Sequence, residues 1–577
     1  MKTIYPIIVL VLVLVTGCEK DYLDRPPGHL IEASDFFRTE AQLVSYTNGF
    51  YDMFPGQSVY EDDAASDNII PLALAERVRG ARIVPVDRGS GGWSWDDLRS
   101  INFFLENVKK VNDEALVKRY SGIAKFFRAQ FYFSKVRRFG DVPWYDTVLD
   151  ADDENLFKAR DSRKFVMDKV LEDIDEAISS LPSEIELNIV TRYTALALKA
   201  RMFLFEGTFR KYHGLGDFEN YLTEASNAAE ELINSGAYTL YNNGNPETSY
   251  RELFDLIDQN AVETILARDF NADFITHNIG NLATSPTNGS FGMPKDLINS
   301  YLLIDGSRFT DLPNYDEVEY FDEMQNRDPR LTQTTAGPNF TAYLSEVPEP
   351  VDLSVTTTGY RVIKSISSKQ QWGNRSSVND IILFRYAETL LVYAEAKAEL
   401  GTLTQADLDI SINKLRGRVG IPDLILSDAN SDPDPFLEGM YPNVNNGANK
   451  GVILEIRRER RIELFMEGQR WDDLMRWKEG KKLEQPMVGI YFSGLGGYDF
   501  DGDGDIDVYL HDGNTSGIPA GTPTVINVNE RPLTNIVSGN LDPSNQPKIF
   551  DETKDYLYPI PIEDLNLNDN LQQNPGW

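Results

Sequence analysis

Between Val452 and Trp477 the chain reads VILEIRRERRIELFMEGQRWDDLMRW, a helical stretch that is apolar and heavily charged at once. Ile453, Ile456, Leu464, Trp471, Leu474 and Met475 recur at helical spacing and share a broad face, while Leu454, Ile462 and Phe465 add a second apolar strip. A helix with two such strips is expected to be covered on two sides. Arg457, Arg460, Glu463 and Glu467 fall at three- and four-residue steps among the apolar positions, where carboxylate and guanidinium can pair with little water present. Gly468 is expected to break the run. Glu463, Glu467 and Asp473 read either as catalytic carboxylates or as partners of Arg460, Arg470 and Arg476 in a core. Charges deep in a protein persist only when paired, which favours the second reading.

Residues 1–17 read as a signal peptide, with Lys2 in a short n-region, an apolar run from Ile7 to Val15, and Val15-Thr16-Gly17 leading to Cys18. The run is shorter than the roughly 20 residues a membrane-spanning helix needs. Cys18 is the only cysteine among 577 residues, so no intrachain disulfide can form, and it stands where a bacterial lipobox has its lipidated residue. The expected division is a signal peptide over 1–17, a lipidated tether over 18–34 in which Pro26-Pro27-Gly28 forbids a helix, and one domain over 35–577. The formal net charge of −34 argues against nucleic acid and against adsorption to anionic lipid, leaving membrane attachment to the lipid chains.

The pattern is mainly α. Ser34 and Asp35 are expected to cap a helix from about Phe36 to Met53, and Pro55-Gly56 to stop it. Further helices are expected from Asp96 or Asp97, over 114–139, 162–181, 191–211, 218–235, 385–400 and 405–418. Alanines against large apolar residues in ALALKARMFLF allow close packing, and helices in successive pairs fit a tetratricopeptide-like scaffold, although no 34-residue period repeats cleanly. This scaffold is expected over about 35–239 and 385–480. A loop-rich, ligand-binding part with few short strands is expected over about 55–95, 240–384 and 486–577.

The run RRERRIELFMEGQRWDDLMRW closely resembles the C-terminal signature of the SusD/RagB family of bacterial outer-membrane nutrient-binding lipoproteins. The resemblance recurs at FFRAQFYFSKVRRFGDVPWY (126–145), NRDPRL (326–331), RYAETLLVYAEAKAELG (385–401), the LRGRVGIP run and the YPIP…NPGW ending. It implies a tetratricopeptide-like scaffold decorated by a loop-rich ligand-binding subdomain, acting as the lid or receptor of a SusC-type TonB-dependent outer-membrane transporter. Glu19 and Asp21 resemble the surface-export signal of such lipoproteins, which implies a protein facing the cell exterior.

A glycan site needs flat aromatic faces and nearby hydrogen-bonding groups. The irregular stretch and the helix after it offer Asp67, Asn68, Arg79, Arg82, Trp93, Trp95 and Asn102. Trp95, just before a helix, also reads as core. The resemblance adds aromatics from mid-chain, here Trp372 with Gln371, Asn374 and Arg375, and Tyr301 is a weaker candidate. Peptide cargo, a purely structural lid on the transporter and a surface glycoside hydrolase are the alternatives.

In YDFDGDGDIDVYLHD, Asp499, Asp501, Asp503, Asp505 and Asp507 alternate with Gly and other residues, as hard oxygen ligands for a structural Ca²⁺ would. Leu510 stands where an EF-hand has its bidentate Glu. His29, His213, His277 and His511 are far apart, and HExxH and G-x-S-x-G do not occur, so the expectation is a non-catalytic protein.

Overall fold

The computed structural model describes residues 37–444, 447–543 and 546–577. The expected signal peptide, Cys18, the tether, His29 and the Ser34/Asp35 cap lie outside these residues. The first described helix, α1 (Glu40–Asn48), starts later than expected, on a capping box between Thr39 and Gln42, and Gly49–Met53 continues it as a 3₁₀ turn.

The next helices follow their local signals closely. After α2 (Asp96–Asn107), the 26-residue α3 (Glu114–Phe139) begins where the Asp113 carboxylate accepts from Ala115 N and Leu116 N at 2.9 and 3.2 Å. It ends at Gly140, whose φ of 75° is in the left-handed region. Ser162 caps α4 (Arg163–Ser180), Thr191 caps α5 (Arg192–His213), and α6 (Phe218–Asn234) follows. α3 packs on α4 and α5 on α6 as successive pairs. A Cβ on Gly207 would lie 2.6 Å from the Leu222 side chain, so α5 and α6 approach as closely as they do because that position has none.

The strands β1 (Thr264–Arg268) and β2 (Ile381–Arg385) form an antiparallel pair, and β2 leads directly into α7 (Tyr386–Leu400), which packs on α6. The expected 405–418 helix is two pieces, Gln405–Asp409 and Ile412–Arg418. Short strands and turns make up most of the region after residue 486. The fold is mainly helical with few short strands. Among the described residues no helix is long and apolar enough to cross a membrane.

The 452–477 stretch is two helices rather than one: α8 (Lys450–Glu463) and α9 (Arg470–Arg476). The break falls before the expected glycine, through Met466 (φ 60°) to Gly468 (φ 69°). Every residue of α8 from Gly451 to Glu463 is buried. Of the expected ion pairs, Asp473 does bind Arg460 (2.8 Å) and Arg476 (2.9 Å). The others are long-range. Glu463 binds Arg330, Arg385 and Arg418, Glu467 binds Arg385 and Lys364, and Arg470 binds Asp67. Burial alone would raise the Glu463 carboxyl, but Arg418, Arg385 and Arg330 hold it well below the usual carboxylate range.

Candidate functional site

Most polar candidates from the N-terminal half are interior ties. Asp67 is 2 % exposed and bridges Arg470 (2.6 Å) and Arg461 (3.2 Å), and Asn68 accepts from Arg461 Nε at 2.9 Å. Arg82 donates to Asp555 at 2.7 Å and lies over the Tyr558 ring. Asn102 donates to the carbonyls of Tyr145 and Thr147 and accepts from Arg128, which leaves its side chain spent inside the protein. Tyr301 has no exposure, and Trp93, at 3 %, packs edge-on against Phe139. Trp93 and Asn102 share with Trp95 the lining of the cavity described next, whereas Asp67, Asn68, Arg82 and Tyr301 offer no face to an external ligand in this conformation. Their residue types suit sugar binding, but burial has assigned them to the core.

Trp95 and Trp372 are each half-buried, and the structure places them in separate neighbourhoods. Trp95 sits with Tyr145 at the mouth of a cavity of about 380 Å³. Trp372 follows a 3₁₀ turn, Lys369–Gln371, and its loop is pinned from below. Gln371 Oε1 accepts from Val378 N and Asn379 N at 2.7 and 3.2 Å, so Gln371, 5 % exposed, is a support and not a contact. A Cβ on Gly280 would fall 2.2 Å from Gln371 O, which shows how tightly the loop base is seated on the 277–281 segment.

The Trp372 indole donates to Ser367 O at 3.0 Å, and the Arg361 guanidinium lies 5.0 Å from its ring centre. Asn281 Nδ2 donates to Trp372 O (3.4 Å), and Asn288 Nδ2 donates to Asn281 Oδ1 (2.5 Å). Arg375 is exposed and held at φ 52°, its N–H donating to Asn278 Oδ1 at 2.8 Å. A non-glycine residue in that region is strained unless its surroundings fix it, as they do here. The loop thus offers a partly open indole, a guanidinium and amides on a fixed backbone. That set suits stacking on a sugar C–H face and hydrogen bonding to its hydroxyls.

The acidic loop gathers only part of its expected set. Asp499, Asp501 and Asp507 have carboxylate oxygens within 4.8 Å of one another, while Asp503 and Asp505 are exposed and outside that group. Burial and the carboxylates of Asp501, Asp503 and Asp499 push the Asp507 carboxyl up. Three converging carboxylates are a hard-oxygen donor set of the kind Ca²⁺ takes.

A family model described as "SusD family" matches residues 267–577, more than half of the chain. The chain belongs to the SusD family. A second model, described as "Starch-binding associating with outer membrane", matches residues 21–204. Two SusD-like proteins of Formosa agariphila are similar throughout: one is 27 % identical over 84 % of this chain and 93 % of its own length, the other 24 % identical over 99 % and 98 %. A SusD-like protein of Bacteroides fragilis has the same fold at 22 % identity, TM-score 0.68, over 95 % of this chain and 99 % of its own. So does a SusD-like carbohydrate-binding protein of that organism, at 21 % identity, TM-score 0.68, over 93 % and 100 %.

Sequence reasoning missed several residues of this SusD family member that lie around the two half-buried tryptophans. Around Trp372 these are Asn281, Asn288 and the support Asn278; around Trp95 they are Tyr145 and Asp564. Asn281 lies on the short helix Ile279–Thr284 and Asn288 in the turn after it, and Asp564 lies more than 460 positions from Trp95, so only the tertiary fold associates them.

Proposed function

We propose that this chain is a lipid-anchored, cell-surface protein that captures an oligosaccharide on the Trp372 loop and passes it to a SusC-type TonB-dependent outer-membrane transporter. The observation that carries the reading is the half-open Trp372 indole beside exposed Arg375, on a loop fixed by buried hydrogen bonds to Gln371. Membership of the SusD family, the description of the second family model and the lipobox at Cys18 support it. Stacking on one indole with a few hydrogen bonds gives modest affinity, which suits handing the ligand on. The protein is non-catalytic in this reading: Glu463, Glu467 and Asp473, the carboxylates of the charged run that could have been catalytic, are all spent in ion pairs.

The test is a glycan panel titrated against the full chain and its Trp372→Ala and Arg375→Ala variants, with product analysis of each mixture. Saturable binding without shorter products, weakened at least tenfold by Trp372→Ala, supports capture. Binding that ignores both substitutions removes the site, and release of shorter sugars overturns the non-catalytic reading.

A further inference from the structure

An open groove of about 370 Å³ lies close to the start of the described chain. Its lining comes from α1 and α3 (Val44, Ile123), from the 188–189 loop (Ile189) and from strands β1 and β2 (Leu266, Leu383). Ile123, Leu266 and Leu383 are buried, whereas Val44 and Ile189 are 38 % and 41 % exposed, so an apolar floor lies under an open rim. Such a groove favours an occupant that brings apolar side chains of its own.

The rim carries charges of both signs, none of them in an ion pair among the described residues. Arg119 lies 5.8 Å from the Tyr120 ring centre, and Arg268 donates to Phe54 O at 2.8 Å, but neither binds a carboxylate there. Asp52 and Asp269 stand exposed on the same rim, and their carboxylates are likewise unpaired. The fitting occupant therefore has an apolar centre bracketed by acids and bases together.

The chain itself contains one. Ahead of Phe37 it reads Lys20-Asp21-Tyr22-Leu23-Asp24-Arg25, an aromatic and an aliphatic residue with an acid and then a base on either side. Asp21 and Asp24 complement Arg119 and Arg268, and Lys20 and Arg25 complement Asp52 and Asp269. The other apolar pair of this stretch, Leu30-Ile31, stands between His29 and Glu32 and lacks the double bracket. Neighbouring side chains of an extended segment point to opposite sides, so Tyr22 and Leu23 can each meet one wall of a groove. Reach is sufficient: Leu23 stands 14 positions before Phe37, up to about 50 Å of extended chain, and the groove begins at Val44 in the helix that follows. Linkage on one chain also gives this segment a local concentration in the millimolar range, which favours it over a second copy.

We propose that this groove docks the chain's own tether, with Tyr22 and Leu23 on its apolar floor and Asp21 and Asp24 beside Arg119 and Arg268. With Cys18 lipidated, docking would shorten the span between anchor and folded body. Undocked, that span is the 19 residues from Cys18 to Phe37, about 65 Å extended; docked, it is the four residues from Cys18 to Tyr22, about 14 Å. The body would then be held close to the membrane. That consequence rests on the lipid-anchored reading, and the docking itself does not.

The test is disulfide trapping in the chain from residue 18 onward, carrying Cys18→Ser, which removes its one cysteine. Leu23→Cys is combined either with Ile189→Cys on the rim or with Lys118→Cys, an exposed position beside Arg119 but outside the lining. An intrachain disulfide is expected to form about tenfold faster with Ile189→Cys. Adding Arg119→Glu and Arg268→Glu should slow it to the Lys118→Cys rate, and Asp21→Lys with Asp24→Lys should restore it; thermal melting checks that each variant folds. Equal rates at the two positions, or rates indifferent to the charge changes, overturn the docking. Disulfide-linked dimers that increase with protein concentration would give the groove to a second copy and overturn it as well. Lipidation is absent from every arm and Trp372 is untouched, so failure here leaves the capture reading standing.

Discussion

Arg385 Nη1 and Glu463 Oε1 lie 2.8 Å apart with essentially no exposure of either side chain. Arg385 ends β2 and Glu463 ends α8, so this charge pair joins the strand pair to a helix buried from Gly451 to Glu463. Arg418 and Arg330 converge on the same carboxylate at 2.7 and 3.2 Å. Arg330 keeps Asp328 and Glu459, Arg385 keeps Glu263 and Glu467, and Arg418 keeps Glu263, but Glu463→Ala should leave the buried cluster one negative charge short and cost about 3–5 kcal/mol, the usual penalty for removing one member of a buried charge cluster. Denaturant unfolding of the variant checks this, and a loss below about 1 kcal/mol would show that water reaches the cluster.

The opposite electrostatic case is Asp63. Burial pushes its carboxyl up to about 7, although it accepts from Asn68 Nδ2 at 3.2 Å and Met466 N at 2.5 Å, and burial does the same to Asp255. Between about pH 4 and 7 the unfolded chain releases protons that the folded chain keeps. These two groups therefore stabilise the fold most at the acid end of that window and lose this contribution as pH rises through 7. Asp63→Asn should remove its share, at most about 1.4 kcal/mol per pH unit. Denaturation midpoints of wild type and variant, compared from pH 5 to 7.5, should diverge in favour of the variant as pH rises.

A Cβ at Gly451 would stand 1.8 Å from Ala429 O, with backbone and not a flexible side chain in the way. Gly451→Ala should thus force α8 from the Leu426–Ser431 helix and cost about 1–3 kcal/mol despite alanine's better helix propensity. Gly439→Ala, with open space around it, is the control. Equal melting temperatures for the two variants would contradict the packing.

The spacing of Asp499, Asp501 and Asp507 carries the Ca²⁺ expectation. Millimolar Ca²⁺ should raise the melting temperature, since a ligand bound only by the folded state stabilises it, and chelator should reverse the change. Asp501→Ala should abolish the response while leaving the chelated protein unchanged. A melting temperature indifferent to Ca²⁺ and chelator would dismiss the ion.

What the sequence determined by itself is whatever depends on neighbours in the chain. Asp113, Ser162 and Thr191 cap their helices through residues two or three positions away, and Gly140 ends α3 on its own conformational freedom, so these boundaries were legible. The helical class followed from them, and the family from the long charged run. The tertiary structure alone decided which charges meet. Glu463 finds Arg330 and Arg385 at separations of 133 and 78 residues, and the chain breaks after α8 instead of running on to Gly468. It also decided the candidate site. Asp67, Asn68, Arg82 and Asn102 have the chemistry of sugar contacts, yet their partners lie inside the protein, while Trp95 and Trp372 keep part of a ring open to solvent. Residue type sets what a side chain can bind; burial, a property of the whole fold, sets whether a ligand can reach it.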